Sequence, residues 1–537
     1  SMKRKKNRIL SLVLCASIVL SGGAPMTFAS AADENVAVAA QVNENGYASE
    51  IIGNVRVQVL SPTVVRLEEQ GPEGFEDRET FHIANRDNWE GTGVTREDAD
   101  GSVILHTSAF DITVPADAQD ITGITISDKE GNLLWKYKGM PGSKVYLPDP
   151  GEEVYAWEMS DTPRMTVPEW GFRPQPAENT ENVDTNGFDT NNDAPDMYVF
   201  LPQGDGVQLR KDFNKLTGQT EMLPLSALGA WDSRYYANTQ EQALKQIRDY
   251  HETYQVPLDN LVIDTDWRKS IGTSGTGYEI NTDLFPDMEG FLQEANDMGV
   301  NVMFNDHPEP TRDDGTGEER IAIDSDEVKF RFDNLTHILD LGLEGWWYDR
   351  NWSTTIKAPE GFTHEAIGAS IYSYAQKAVY PDERLFMMSN VDGSSNGADI
   401  GAPDVAQHRY GITWTGDTVG HQETLQDELE FTVQYGAIVG LPYISSDIGS
   451  HMTNTDNMTA DEYVKWMQYG TLSPIYRPHC TWVGSADEGR MPWLKGEDAL
   501  NIIRDYVNLR YRLLPTYYNL SHENYETGMP LVRRLDF

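Results

Sequence analysis

The stretch that decides the fold is Leu343-Glu344-Gly345-Trp346-Trp347-Tyr348-Asp349-Arg350-Asn351-Trp352. Its apolar and aromatic run predicts a short buried strand that ends on a carboxylate. An acid in that place often caps a helix or forms a turn, so Asp349 alone indicates little. A second stretch, Trp414-Thr415-Gly416-Asp417, has the same form sixty-eight residues later. Asp349 and Asp417 at the ends of separate strands would supply the two carboxylates that cleavage of a glycosidic bond requires.

From about Leu225 onward, strand patterns alternate with helix patterns. The predicted strands end at Trp231, Asp264, Asp306, Asp349, Asn390, Asp417, Asp447 and His479. The first helix begins at a capping box made by Thr239 and Gln242. Further amphipathic helices are predicted at 288–298, 326–341, 364–379, 423–435 and 497–513. Eight such units predict an α/β fold, a (β/α)8 TIM barrel, with the polar strand ends on the face where such barrels hold their active sites.

The residues ahead of the barrel predict an antiparallel β-sandwich. Between about Ala48 and Leu209 the sequence alternates and is rich in Val, Ile and Thr, with turn signals at 130–132 and 139–142. The polar loop 182–195 carries Asp184, Asn186 and Asp189, which are suitable calcium ligands, but no bidentate Glu closes a standard calcium loop. We interpret this loop as solvated or as part of a substrate rim, and calcium binding stays open.

The first 32 residues have the three parts of a secretory signal peptide. A basic segment, Lys3 to Lys6, precedes the apolar run Ile9 to Leu20 and the small-residue site Ala29-Ser30-Ala31. The run is too short to span a membrane, and no later stretch approaches the ~20 apolar residues that spanning requires. We therefore expect a secreted or cell-surface protein without membrane insertion. Cys480 would be the one cysteine of the mature chain, so no intramolecular disulfide is expected.

The acidic balance of the chain limits its partners. The formal net charge is −43, and without the five basic residues of the signal region 37 basic residues face 85 acidic ones, a balance of −48. A surface this acidic repels phosphate groups, so nucleic acid and anionic lipid are not expected partners. A neutral carbohydrate is compatible with it, and no oligomeric state is predicted.

The length of 537 residues allows two or three domains. We predict a signal peptide at 1–32, an N-terminal β-sandwich domain at 33–215, a (β/α)8 barrel at 216–527, and the start of a C-terminal β-domain at 528–537. That last segment, which begins Gly528-Met529-Pro530-Leu531, has the pattern of a strand. We therefore expect the chain to be part of a longer enzyme.

Six motifs follow one another at matching positions of the predicted barrel. They are Gly229-Ala230-Trp231-Asp232-Ser233-Arg234-Tyr235, the run from Pro257 to Trp267, Trp347-Tyr348-Asp349, Arg409 with Trp414-Thr415-Gly416-Asp417, Asp447-Ile448-Gly449, and Arg477-Pro478-His479. In this order they resemble glycoside hydrolase family 31, the α-glucosidase-like enzymes, over about residues 50–537. The resemblance implies an N-terminal β-sandwich, a barrel and further C-terminal β-domains.

The resemblance also implies a retaining double displacement, with Asp349 as the nucleophile and Asp417 as the acid/base. It implies no cofactor and no metal, and His479 beside Cys480 is not predicted to bind one, because nothing nearby has ligand spacing. The three tryptophans among the implied sugar contacts could instead belong to the core, and the polar residues could form structural ion pairs or caps. The implied substrate-binding residues are Trp231, Asp264, Asp306, Trp347, Asn390, Arg409, Trp414, Asp447, Arg477 and His479.

Two departures from the glucosidase pattern bear on the sugar. Arg350-Asn351-Trp352 stands where the glucosidases usually continue Met-Asn-Glu, and Ser389-Asn390-Val391 replaces Thr-Arg-Ser, whose Arg contacts the sugar near its 2-position. The chain most resembles the branch that acts on α-linked N-acetylgalactosamine. We predict release of that terminal sugar from glycans. An α-glucosidase or α-galactosidase is the alternative, and a non-catalytic carbohydrate-binding protein is the second alternative.

Overall fold

The computed structural model describes residues 36–162, 164–165, 194–269, 278–308, 325–349, 358, 361–390, 402–418, 422–451, 458–481 and 483–535.

Two antiparallel sheets form the N-terminal part. One has the order β1-β5-β6-β7-β8-β9 and the other β10-β11-β4-β3-β2. Val55, Val57 and Val59 lie in the apolar core with side chains from both sheets, as their alternation predicts. The strands are β1 Val38–Ala39, β2 Ala48–Ile52, β3 Val55–Ser61, β4 Val64–Glu69, β5 Thr95–Ala99, β6 Ser102–His106, β7 Phe110–Pro115, β8 Thr125–Asp128, β9 Leu133–Lys136, β10 Trp157–Ser160 and β11 Asp196–Phe200.

A parallel sheet follows, in which each strand pairs with the next along the chain. Its order, β12 to β18 without a crossover, is the order of barrel strands. The strands are β12 Trp231–Arg234, β13 Asn260–Ile263, β14 Asn301–Asp306, β15 Gly345–Tyr348, β16 Met387–Asn390, β17 Ile412–Trp414 and β18 Ile444–Ser445.

The eighth predicted strand occurs as two isolated parallel bridges. Tyr476 pairs with Ala230 beside β12, and Pro478 pairs with Ile448 beyond β18. Backbone hydrogen bonds from Trp231 N to Tyr476 O, 3.0 Å, and from His479 N to Ile448 O, 3.2 Å, accompany these bridges. The segment around 476–479 therefore contacts both edges of the parallel sheet without forming a regular strand.

Helices separate the parallel strands as the sequence predicts. Thr239 and Gln242 form both hydrogen bonds of the predicted capping box at the start of α2. Three of the described helices lie outside the predicted ranges: α1 at the end of the sandwich region, the short α7, and α8. The helices are α1 Gly206–Thr217, α2 Gln240–Arg248, α3 Met288–Asp297, α4 Ser325–Asp340, α5 His364–Val379, α6 Gln422–Glu430, α7 Gly436–Val439, α8 Ala460–Leu472 and α9 Glu497–Thr527.

Apolar side chains from several of the parallel strands pack against one another. Trp231, Val262, Met303, Trp347 and Trp414 belong to one buried cluster, with one residue from each of five strands. This cluster supports the carboxyl ends of the strands from below. Residues 528–535 are described and contain no strand. Among the described residues, no helix has both the length and the apolar character that a membrane span requires.

Candidate active site

Asp349 directly follows β15 and lies at the carboxyl end of the parallel sheet. Its side chain is held by two donors from the end of the neighbouring strand β14. Asn305 Nδ2 lies 2.8 Å, and His307 Nε2 2.7 Å, from the same oxygen, Asp349 Oδ2. The backbone N–H of Asp349 donates to Asp306 O at 3.0 Å. The residue is 9 % exposed, so its carboxylate has a fixed orientation and limited contact with solvent.

Asp417 follows β17 after a turn at Gly416, whose φ of +93° favours glycine. Burial raises the pKa of Asp417 to about 8, and the negative charges of Asp349, Asp447 and Asp264 add to the rise. His451 Nε2 lies 3.5 Å from Asp417 Oδ1. The Asp417 side chain is 30 % exposed, so a substrate can reach it. A carboxyl group that keeps its proton near neutral pH can act as a general acid.

Asp264 and His307 shift each other's pKa, and the charge of Asp349 acts on both. Burial raises the pKa of Asp264 to about 7, and the charge of Asp349 adds to the rise, whereas His307 opposes it. Burial alone would lower the pKa of His307, but Asp349 and Asp264 raise it to about 9. His307 is therefore an imidazolium at neutral pH, placed among carboxyl groups.

Asp447, beyond β18, lies at the base of the site and is fully buried. Its Oδ1 accepts hydrogen bonds from Trp414 Nε1 at 2.7 Å and from Arg477 Nη2 at 2.6 Å. The Arg477 guanidinium lies 4.9 Å from the centre of the Trp347 ring, and Trp347 packs edge-on against Trp414. These contacts form a rigid floor below the two catalytic candidates.

Two histidines lie above that floor. His451 and His479 stack with ring centres 5.0 Å apart, and His479 Nδ1 is 2.6 Å from Ser233 Oγ. Burial lowers the pKa of both imidazoles, and the positive charges of Arg477 and Arg490 lower it further, although Asp447 and Asp349 partly oppose this shift at His451. Both rings are therefore neutral near pH 7 and offer hydrogen bonds without charge.

Asp447, His451 and His479 place one potential ligand atom each within 4.8 Å of one another. The prediction that nothing near His479 has ligand spacing was therefore wrong, because Asp447 and His451 are distant from His479 in the sequence and the fold brings them next to it. A cation here would compete with Arg477, which already binds Asp447 at 2.6 Å. The charge of that guanidinium disfavours a metal ion.

Comparison with known proteins agrees with this arrangement of the strands. The model of the glycosyl hydrolases family 31 TIM-barrel domain matches residues 220–327 and 325–520, which is more than half of the chain. The chain belongs to glycosyl hydrolase family 31.

Curated relatives in the family carry the names of α-glycosidases. The alpha-xylosidase of Saccharolobus solfataricus is 26% identical over 368 residues, covering 63% of this chain and 48% of the relative. Alpha-glucosidase 2 of Bacillus thermoamyloliquefaciens is 26% identical over 411 residues, covering 65% of this chain and 48% of the relative. The chain thus spans about half the length of the curated relatives it matches.

Solved family 31 structures share the fold at lower identity. A dextranase of Flavobacterium johnsoniae complexed with glucose superposes with a TM-score of 0.64 at 17% identity, covering 90% of this chain and 70% of that one. An alpha-xylosidase from a soil metagenome complexed with xylose gives a TM-score of 0.60 at 15% identity, with 90% and 85% covered. At these identities the likeness concerns the fold alone.

The family 31 fold brings most of the predicted site residues together. Asp264, Asp349 and Asp417 share one electrostatic neighbourhood. The floor of the site is formed by Trp347, Trp414, Asp447 and Arg477. His479 lies beside it, stacked on His451. Asn390, the last residue of β16, is 4 % exposed. Residues 350–352, Val391 and the acidic part of the loop 182–195 lie outside the described residues.

Trp231 is not part of this group. It is the first residue of β12, not the last, and so lies at the opposite end of that strand. Its indole is 1 % exposed, stacks on Phe386 at 5.2 Å, and donates to Ala227 O at 2.9 Å. The prediction of a sugar contact is corrected, because Trp231 belongs to the apolar core of the barrel.

Asp306 also lies away from the site. Side chains alternate along a strand, and its neighbours Asn305 and His307 face Asp349. Asp306 is fully buried and binds Arg268 Nη1 at 2.6 Å and the hydroxyls of Tyr278 and Tyr372 at 2.5 Å each. Its predicted role is corrected to a structural one between the strands and the helices.

Arg409 contacts the N-terminal region. Its guanidinium donates to Phe81 O at 2.6 Å and to Thr217 O at 3.1 Å. It also lies 5.3 Å from the centre of the Phe81 ring. The predicted substrate contact is corrected, because these carbonyl groups of the sandwich side and of α1 hold the guanidinium.

Several site residues were missed: Asn305, His307, His451 and Ser233. The register of β14 contained the signal for the first two. Once Asp306 is placed at a strand end, residues at its two sides must face the opposite way, toward the barrel interior. His451 follows the positive-φ residue Ser450, φ 71°. That turn cannot be read from composition.

Proposed function

We propose that the chain is a retaining α-glycoside hydrolase of family 31. The observation that carries the proposal is the unequal pair of carboxyl groups at the sheet end. Asp349 is fixed by two donors, one of them a cation, while Asp417 keeps its proton near neutral pH. A nucleophile beside a general acid is the pair that retention of configuration requires.

In the first step, Asp349 forms a bond to the anomeric carbon as the bond to the leaving oxygen breaks. That oxygen takes the proton of Asp417. In the second step, Asp417 removes a proton from water, and the resulting hydroxyl attacks the anomeric carbon and releases Asp349. Direct attack of this kind is favoured at a carboxyl separation of about 5–5.5 Å.

For the sugar, we propose terminal α-linked N-acetylgalactosamine. The support comes from the sequence at two strand ends: Arg350-Asn351-Trp352 after the nucleophile, and Asn390 in place of an arginine. A neutral amide is shorter than a guanidinium and leaves room near the sugar C2 for an acetamido group. A site that hydrogen-bonds this group would reject a sugar that lacks it, since its own polar atoms would lose their partners.

The names of the relatives favour a second candidate. They include an alpha-xylosidase and an alpha-glucosidase, whose sugars carry a plain 2-hydroxyl. In this alternative, an α-glucosidase, α-xylosidase or α-galactosidase, the Asn390 amide would bind that hydroxyl. A non-catalytic sugar-binding protein is disfavoured, because both Asp349 and Asp417 are present, each just after a strand of the parallel sheet.

A panel of 4-nitrophenyl α-glycosides tests both proposals. We expect the highest kcat/KM for N-acetylgalactosamine among the glycosides of N-acetylgalactosamine, N-acetylglucosamine, galactose, glucose and xylose. Faster release from the glucoside or xyloside would overturn the choice of sugar and leave the mechanism standing. Equal, near-zero rates for the wild type and for Asp349→Asn on every glycoside would overturn the hydrolase.

We also propose export, based on the signal pattern in residues 1–32, which lie outside the described part of the chain. Protein recovered from the medium of the native host should begin near Ala32 or Asp33. Mature protein that retains Lys3 to Lys6 would contradict this.

A further inference from the structure

Two residues on one face of β14 bind the same atom of Asp349. Asn305 and His307 are two positions apart, so their side chains point the same way from the strand end. Asn305 Nδ2 and His307 Nε2 reach Asp349 Oδ2 at 2.8 and 2.7 Å. Within the described part of the chain, no hydrogen-bond donor is directed at Asp349 Oδ1. The two oxygens of this carboxylate are therefore not equivalent.

This asymmetry selects the attacking atom. An oxygen that accepts two hydrogen bonds has its lone pairs engaged, and its partner remains available for bond formation. We propose that His307 is a positioning residue for the nucleophile, which holds Asp349 Oδ2 together with Asn305 so that Oδ1 attacks the anomeric carbon. This inference rests on the proposed hydrolase function and adds a role that is specific to His307.

The backbone of His307 is itself fixed. Arg268 Nη2 donates to His307 O at 3.1 Å, and Nη1 of the same guanidinium binds Asp306 Oδ1 at 2.6 Å. The buried Asp306 carboxylate also accepts from Tyr278 and Tyr372 on the outer side of the strand. The end of β14 is thereby anchored on one face and aligns the nucleophile from the other.

The charge of His307 adds a second effect. The charged groups that face the imidazole are Asp349, Asp264 and Asp417, and Arg268 opposes its protonation. The imidazolium in turn lowers the pKa of both Asp264 and Asp417. Removing the cation should therefore raise the pKa at which the general acid loses its proton. Asn305, which binds the same oxygen, does not titrate.

The test compares His307→Gln with Asn305→Ala in the whole protein, on the nitrophenyl glycoside that the wild type cleaves fastest. Both variants should lower kcat by about 10- to 100-fold, with a smaller change in KM, since a charge-assisted hydrogen bond to the nucleophile is lost or weakened. The alkaline limb of the kcat/KM profile should move to higher pH in His307→Gln only. A purely structural role for His307 would leave that limb at its wild-type position in both variants.

A second measurement does not depend on a folded His307 variant. In the wild type labelled with ¹³C-histidine, the His307 imidazole should titrate well above pH 6.5, and Asp349→Asn should lower that pKa. Titration near pH 6.5 in the wild type, or no change in Asp349→Asn, would overturn the inference. An active wild type with an inactive Asp349→Asn variant supports the hydrolase in either case, so failure of one proposal is distinguishable from failure of the other.

Discussion

Asp417 shows how one residue type acquires a role from its surroundings. A solvated aspartate loses its proton near pH 4, and burial among Asp349, Asp447 and Asp264 raises the pKa of Asp417 to about 8. Asp349, in contrast, accepts hydrogen bonds from His307 and Asn305. Two aspartates at similar strand ends are therefore suited to opposite tasks.

The activity should depend on pH in a way that follows from Asp417. A general acid works only while protonated. Therefore kcat/KM should stay high at pH values below about 8 and fall as the pH rises through that value. Asp417→Ala should lose ~10²–10⁴-fold on substrates with poor leaving groups. The loss should be much smaller on dinitrophenyl glycosides, which need no proton. A pH profile for each leaving group measures this, and an equal loss on all leaving groups would contradict the role.

At this scale the sequence was informative about acids and less so about their partners. Asp349, Asp417, Asp264 and Asp447 could be placed because each follows a strand pattern. Asn305 and His307 could have been found from the register of β14, but His451 could not, because a histidine in a loop has no periodicity and its contacts depend on the fold. Asp306 was assigned wrongly because its position at a strand end was predicted without predicting toward which side of the strand its side chain points.

At the scale of elements, the tight spacing between β15 and β16 fixes where Asp349 stands. Gly345 begins β15, and a Cβ built there would lie 1.9 Å from Phe386 O, just ahead of β16. A side chain at this position would push the two segments apart. The apolar run 345–348 therefore needs glycine at its start for a packing reason.

Gly345→Ala should destabilise the protein by about 1–3 kcal/mol, since overpacking of a well-packed site costs that much. It should also reduce kcat, because β15 delivers the nucleophile. Gly93→Ala is the matched control: a Cβ there meets nothing within 4 Å. Thermal unfolding and kinetics of the two variants provide the measurement. Equal melting temperatures for Gly345→Ala and the wild type would refute the packing argument.

Element types were predicted more reliably than element ends. The capping box at Thr239 fixed the start of α2, because its two hydrogen bonds are local. The predicted end of β12 was wrong by three residues, because an aromatic residue such as Trp231 occurs equally well at the start and at the end of a buried strand. The eighth strand is visible in the sequence as a motif, but in the structure it forms only two bridges. Its partners Ala230 and Ile448 are distant in the sequence, so the extent of pairing could not be predicted.

At the scale of the whole molecule, a junction joins the sandwich to the barrel. His82 lies 3.0 Å from Asp404, and backbone hydrogen bonds link Val145 N to Pro403 O at 3.1 Å and Val405 N to Ser143 O at 2.9 Å. Arg409 adds its two carbonyl contacts across the same junction. The sandwich therefore supports the segment that leads into β17 and Asp417.

Arg409→Ala should loosen this junction. We expect a loss of about 1–3 kcal/mol in the free energy of unfolding, since buried carbonyls lose a charged donor. Hydrogen exchange should rise at Ala84, whose amide binds Leu216 O at 3.0 Å. Arg504→Ala is the control, because Arg504 binds the carbonyl of Tyr254 within the barrel. Unchanged exchange at Ala84 together with a tenfold or larger rise in KM would instead indicate that Arg409 contacts the substrate.

The most direct test of the mechanism is covalent trapping of the nucleophile. A 5-fluoro-α-glycosyl fluoride of the sugar that the wild type releases should inactivate the protein with time, because it forms the glycosyl-enzyme faster than water removes it. Peptide mapping by mass spectrometry should then find one added glycosyl group, on Asp349. A label on Asp264, Asp417 or another carboxylate, with Asp349 unmodified, would contradict the assignment of the nucleophile.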